Sequence, residues 1–212
     1  MWTSLVPYLQ ENWRQYLTYL WEHVWLSLLA LIFSMVLGMS LGFLAYQKYK
    51  LRQLLTDLSS SLRVIPSLGV LFFLIPLMGV GQVPALTALV LLGLPPISFQ
   101  TLVGLVQIPD SLREVGRGLG MSDRQVLLKV VFPLALPHVL TGIKLALVEI
   151  IASASLATYI GAGGLGTLIF TGLGLYRFDL LFLGGGSVAA LSLIAMLILD
   201  GISHHLTKRS SS

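Results

Sequence analysis

Cysteine is absent from the 212 residues, which excludes disulfides, a thiol nucleophile, a cysteine-based zinc site and cysteine-ligated iron–sulfur clusters. Charge is scarce as well: Lys, Arg, Asp and Glu make up 10% of the chain, where a soluble domain carries about 25%. No lysine follows a glycine, so the G-x-x-x-x-G-K-S/T phosphate loop is missing and the chain is not expected to hydrolyse ATP alone. His23, His138, His204 and His205 form no H-E-x-x-H and no paired metal-ligand spacing, so no metal site is expected.

What is abundant is apolar: 56% of the residues are hydrophobic and the mean hydropathy is +0.88. Several runs are long enough to cross about 30 Å of hydrocarbon, so the chain reads as an all-α polytopic membrane protein. Leu20 to Tyr46, Val64 to Gly81, Val83 to Ile108, Pro137 to Ile160 and Gly184 to Ser203 give about five transmembrane helices. The polar segment Leu51 to Ser61 is either a separate short helix or an extension of the second span.

Lys48, Lys50 and Arg52, then Arg113, Arg117, Arg124 and Lys129, then Lys208 and Arg209 fall on one side of these spans, against Arg14 and Arg177 on the other. The positive-inside rule therefore puts the N-terminus outside and the C-terminus in the cytoplasm. Trp2, Trp13, Trp21 and Trp25 crowd the start of the chain, where indole rings favour the headgroup boundary. Leu9, Trp13, Tyr16, Leu17 and Leu20 share one helical face, which predicts an interfacial helix over 1–19. No basic segment and no small-residue cleavage site mark a removable signal peptide. Residues 20–206 form the expected membrane domain and 207–212 a cytoplasmic tail.

Two motifs are false friends. Gly161-Ala-Gly-Gly-Leu-Gly166 has the G-x-G-x-x-G letters, but a membrane span rather than a strand precedes it. Gly38-Met-Ser40-Leu-Gly42 has the nucleophile-elbow spacing inside span one, where Gly38 and Gly42 read as a small-xxx-small face for close helix approach.

The most charged stretch is the loop 109–137. Ser111 followed by Glu114, and Ser122 followed by Gln125, each have capping-box spacing, with Gly120 as the stop between them. The first helix would carry Leu112, Val115 and Leu119 on one side. Glu114-Val-Gly, three residues, Gly120, nine residues and Val130-x-Phe132-Pro133 resemble the EAA motif of ATP-binding-cassette (ABC) importer permeases, E-A-A-x3-G-x9-I-x-L-P. Val115 and Gly116 replace the alanines, and Gly116 lowers helix propensity by about 1 kcal/mol.

The resemblance continues through Ile65-Pro-Ser-Leu-Gly with Phe73-Leu-Ile-Pro-Leu-Met-Gly, through Leu134-Ala-Leu-Pro-His, and through Ala157-Thr-Tyr-Ile-Gly-Ala-Gly-Gly-Leu-Gly-Thr-Leu-Ile-Phe. It is strongest to the permeases that import glycine betaine, carnitine and choline, and is shared in part with methionine-type importers. It implies a type I ABC importer (MetI-like) permease fold in a multi-pass cell (inner) membrane protein without catalytic residues. The implied partners are cytoplasmic ABC ATPase subunits, a second permease subunit (the same chain or a related one), an extracytoplasmic binding protein and the lipid bilayer, with no nucleic acid. ATP and Mg would be used by the ATPase, and this chain would hold no cofactor. The resemblance assigns coupling to Arg113, Glu114, Val115, Gly116, Arg117, Leu119, Gly120 and Met121. Glu114 also admits a pure capping role, Gly120 a pure turn and Arg117 a positive-inside anchor.

Ionisable groups in spans cost at least about 2.5 to 3.5 kcal/mol at the bilayer centre. Lys144 is expected to snorkel and Asp200 to lie near a span end, which leaves Glu149 as the best group for an aqueous path, with Arg63 either its partner or an interfacial residue. Ser67, Ser153, Ser155 and Thr158 complete the path candidates, with interhelical hydrogen bonding as their commoner role. The glycine-rich stretch from Ala157 to Phe170 reads as an external gate, a re-entrant turn or an ordinary turn. Related importers hold quaternary ammonium in the aromatic cage of the binding protein, and the sequence of this chain locates no such cage. A methionine or other small-solute permease, an intramembrane enzyme using Glu149, Asp200 or His138, and an ion channel remain the alternatives.

Overall fold

The computed structural model describes the backbone of residues 2–62 and 65–210, and side chains within 7–59 and 65–206. Helices α1 (Trp2–Gln47), α2 (Tyr49–Leu62), α3 (Ser67–Met78), α4 (Gln82–Val106) and α5 (Asp110–Gly118) come first. They are followed by α6 (Asp123–Val126), α7 (Phe132–Leu156), α8 (Gly166–Gly174) and α9 (Phe178–Ser210), with no strand among the described residues. A π turn (Leu127–Val131) joins α6 to α7, and a 3-10 turn (Ala157–Ile160) ends α7.

Four stretches are long and apolar enough to span: Pro7–Gln47, Gln82–Val106, Asp123–Ile160 and Phe178–Leu206. The expected second span is instead the 12-residue helix α3, about 18 Å long. Pro66 starts it, and Gly79 and Gly81, both at positive φ, stop it. The expected fourth span begins well before Pro137, because the helix runs on from Asp123 and Pro137 lies inside α7. The π turn takes up the register upstream of Pro133, with the Phe132 N–H reaching the Leu127 carbonyl. The segment around Leu51 is a helix of its own, α2.

The chain divides into two compact units, one of 1–33, 65–93 and 147–196 and the other of 34–64, 94–146 and 197–212. In the second, Leu105, Val126, Val131 and Ala135 form a buried cluster against which Phe43, Tyr46, Ile108, Met121 and Leu127 pack. The Gly38 and Gly42 face does bring α1 close to α4: a Cβ on Gly42 would sit 2.6 Å from the Ser98 carbonyl oxygen and 2.7 Å from Thr101. In the first, Leu165, Leu168 and Leu180 are covered by Tyr8, Tyr16, Tyr19 and Leu20. The expected single face of the first helix is therefore divided. Tyr16 and Leu20 pack inward while Trp13 and Leu17 point out, and the helix breaks at Asn12 (φ −116°, ψ 20°) rather than near residue 19.

Candidate coupling loop and glycine turn

The loop opens with two short helices, α5 and α6. α5 starts at Asp110 behind Pro109, without a side-chain cap, so the Ser111 and Glu114 capping box does not form. Pro109, at φ −58°, already sets the backbone for helix entry and places Ser111 inside the first turn. Asp110 takes the dipole-favoured first position and pairs with Arg113. At the other end, Gly120 at φ 81° receives the chain in a Schellman turn. Its N–H donates to the Arg117 carbonyl at 2.9 Å, and the Met121 N–H to the Gly116 carbonyl at 3.1 Å. The second capping box forms as the spacing predicts: the Gln125 N–H donates to Ser122 Oγ at 3.4 Å, and the Ser122 N–H to Gln125 Oε1 at 2.9 Å. Arg117 Nε donates to Asp123 Oδ1 at 2.8 Å across the turn.

The coupling candidates separate into an inner and an outer set. Gly116 is buried, and a Cβ there would stand 3.0 Å from Val126 Cγ2. Met121 packs on the cluster of Leu105 and Val131. Arg113 Nη2 donates to the Leu105 carbonyl at 2.9 Å, one of the α4 carbonyls that has no helical partner, while its guanidinium lies 5.4 Å from the Tyr46 ring centre. Outward lie Leu112, Val115 (60% exposed) and Leu119 (75% exposed), with Glu114 and Arg117 exposed beside them.

Among the path candidates, Glu149 is exposed and accepts a hydrogen bond from the buried Ser153 at 3.2 Å. Ser155 donates to the Ala152 carbonyl and Thr158 to the Gly163 carbonyl at 2.7 Å, so both hydroxyls serve the backbone. Ser67 opens α3 and is half-buried. Arg63 lies outside the described residues. Lys144 and Asp200, expected to have separate explanations, form an ion pair with each other.

Two residues that the sequence did not single out lie at the glycine turn, and one of them holds it. Glu22 Oε2 accepts the Gly164 N–H at 2.8 Å, and Gly163 at φ 77° presses its Cα toward that carboxylate. Beside it His23 is buried, with Nε2 3.1 Å from the Ile151 carbonyl. A carbonyl only accepts, so Nε2 carries a proton. Nδ1 has no partner and lies against Gly164. The turn leads into α8, so the stretch is a 3-10 turn, a glycine turn and a short helix.

Residues 16–212 match the sequence profile of the family described as "Binding-protein-dependent transport system inner membrane component". The chain belongs to this permease family. The permease is 38% identical over 207 residues to the carnitine transport permease protein OpuCB of Listeria monocytogenes, covering 98% of this chain and 95% of that one. It is 34% identical to the choline transport system permease protein OpuBB of Bacillus subtilis, over 96% and 94% of the two chains. Its fold is that of the MetNI methionine ABC transporter in inward-facing conformations, with a TM-score of 0.76, 22% identity, and 92% of this chain and 95% of that one covered. It is thus a non-catalytic transport subunit of the inner membrane. Among the described residues no three His, Cys, Asp or Glu side chains gather as metal ligands.

Proposed function

We propose that this permease imports a quaternary-amine osmolyte, glycine betaine, carnitine or choline, released to it by an extracytoplasmic binding protein. Two permease subunits form the pathway, and each sets its α5 helix into a cytoplasmic ATPase that binds and hydrolyses ATP with Mg. The observation that carries the coupling is the outward apolar face of Leu112, Val115 and Leu119 on a helix pinned at both ends. An apolar face on a charged loop is a docking surface of the helix-in-groove kind. Movement of the ATPase pair would then pass into the permease as a rigid-body switch between inward- and outward-facing states. The names of the carnitine and choline relatives support the cargo class.

The test is uptake of radiolabelled glycine betaine, carnitine, choline and methionine by cells expressing the permease with its ATPase and binding protein. Leu119→Asp is the informative variant, because that side chain is exposed, whereas any side chain on Gly120 would strain the turn. Quaternary-amine uptake should fall at least about tenfold with normal membrane levels, and the ATPase should no longer copurify. Unchanged uptake in Leu119→Asp would remove the docking assignment. Uptake of methionine alone would remove the cargo.

A further inference from the structure

Three aromatic rings from three separate elements meet on the surface of the first unit. Phe72 comes from α3, Tyr159 from the 3-10 turn and Phe170 from α8. Tyr159 and Phe170 lie 4.1 Å apart between ring centres at a 46° tilt, and Phe72 meets Tyr159 edge-on at 6.3 Å. Two neighbours of Tyr159 on its turn, Ala157 and Ile160, are buried, while Tyr159 itself is 54% exposed and Phe72 48%. The turn that aims Tyr159 outward is fixed by two hydrogen bonds to its backbone carbonyls. The Ile160 carbonyl accepts the Gly81 N–H at 2.6 Å, and the Gly163 carbonyl accepts the Thr158 hydroxyl at 2.7 Å. Nothing lies within 4 Å of where a Cβ would stand on Gly69, one turn before Phe72.

We infer that Phe72, Tyr159 and Phe170 form a cation–π contact surface for the quaternary ammonium group of the cargo, on the permease itself. The inference rests on the cargo class proposed above. A quaternary ammonium has no N–H to donate, so hydrogen-bonding side chains recognise it poorly and aromatic faces recognise it well. Three rings open on one side hold such a cation more weakly than a closed cage. That suits a site the cargo must both enter and leave. The rings also adjoin the glycine turn that Glu22 secures, so the same segment both presents the surface and fixes its position.

The experiment is uptake of choline, carnitine and glycine betaine into proteoliposomes holding the whole transporter, with permease, ATPase and loaded binding protein, the variants being read on whichever of the three is taken up. Tyr159→Leu and Phe72→Leu keep apolar bulk and remove the π face, and each should lower uptake about three- to tenfold. A series from Tyr159→Phe through its mono-, di- and trifluorinated forms withdraws charge from the ring at nearly constant shape. Uptake should fall stepwise along it. A flat fluorination series, or unchanged uptake in Tyr159→Leu, would overturn the cation–π surface and leave the cargo class standing. Absence of choline, carnitine and glycine betaine uptake in the unsubstituted transporter would remove the cation, and both readings with it.

Discussion

The glycine turn shows what a single contact decides. Glu22 supplies the acceptor for the Gly164 N–H. Removal of the carboxylate in Glu22→Ala leaves the buried amide of Gly164 unpaired, which costs about 1 to 3 kcal/mol. Glu22→Gln keeps an oxygen that accepts, so it should lose clearly less. Thermal unfolding of the detergent-solubilised permease measures the difference, and equal losses in the two variants would mean that the hydrogen bond is not what Glu22 provides. The glycine-rich stretch itself is legible in the sequence as a turn, and the structure puts three of its glycines at positive φ. Glu22 and His23 are not legible there. A hydrogen bond between α1 and a distant turn leaves no local spacing to read.

At the scale of the element, α5 is held by an arginine that the resemblance assigns to coupling. Arg113 reaches back to the Leu105 carbonyl, to Asp110 and to the Tyr46 ring. Lysine cannot reproduce that fork and stacking together. Arg113→Lys should therefore raise amide hydrogen exchange across 110–118 and lower uptake, whereas Leu119→Asp should lower uptake with exchange unchanged. Faster exchange in Leu119→Asp as well would mean that the two residues do not divide into holding and docking roles. Pattern reading found the Gly120 stop and the Ser122 box because both are made by residues within a few positions of each other. It misplaced the first cap because Pro109 sets the start of α5 one residue before Ser111. Ser111 and Glu114 keep the spacing of a capping box without its geometry.

Across the molecule, hydropathy located the apolar elements but not all their lengths. Val64 to Gly81 is apolar apart from Ser67, yet Pro66 and two glycines at positive φ cut the helix to Ser67–Met78. The ion pair of Lys144 and Asp200 was out of reach for a related reason, since each residue alone has an ordinary explanation near a span end. Together, on α7 and α9, each neutralises a charge that would otherwise be costly in a spanning helix. The pair should therefore behave as a unit. Lys144→Met alone leaves the carboxylate without its cation, and Asp200→Asn alone leaves the ammonium without its anion. The double variant leaves neither charge behind. Unfolding of the four forms in detergent should give a coupling of about 0.5 to 3 kcal/mol, toward the lower end because Asp200 is about half exposed. The double variant should then accumulate in membranes better than either single one. Strict additivity would reduce the pair to two independent charges, each held by solvent or headgroups, and α7 and α9 would then owe nothing to this contact.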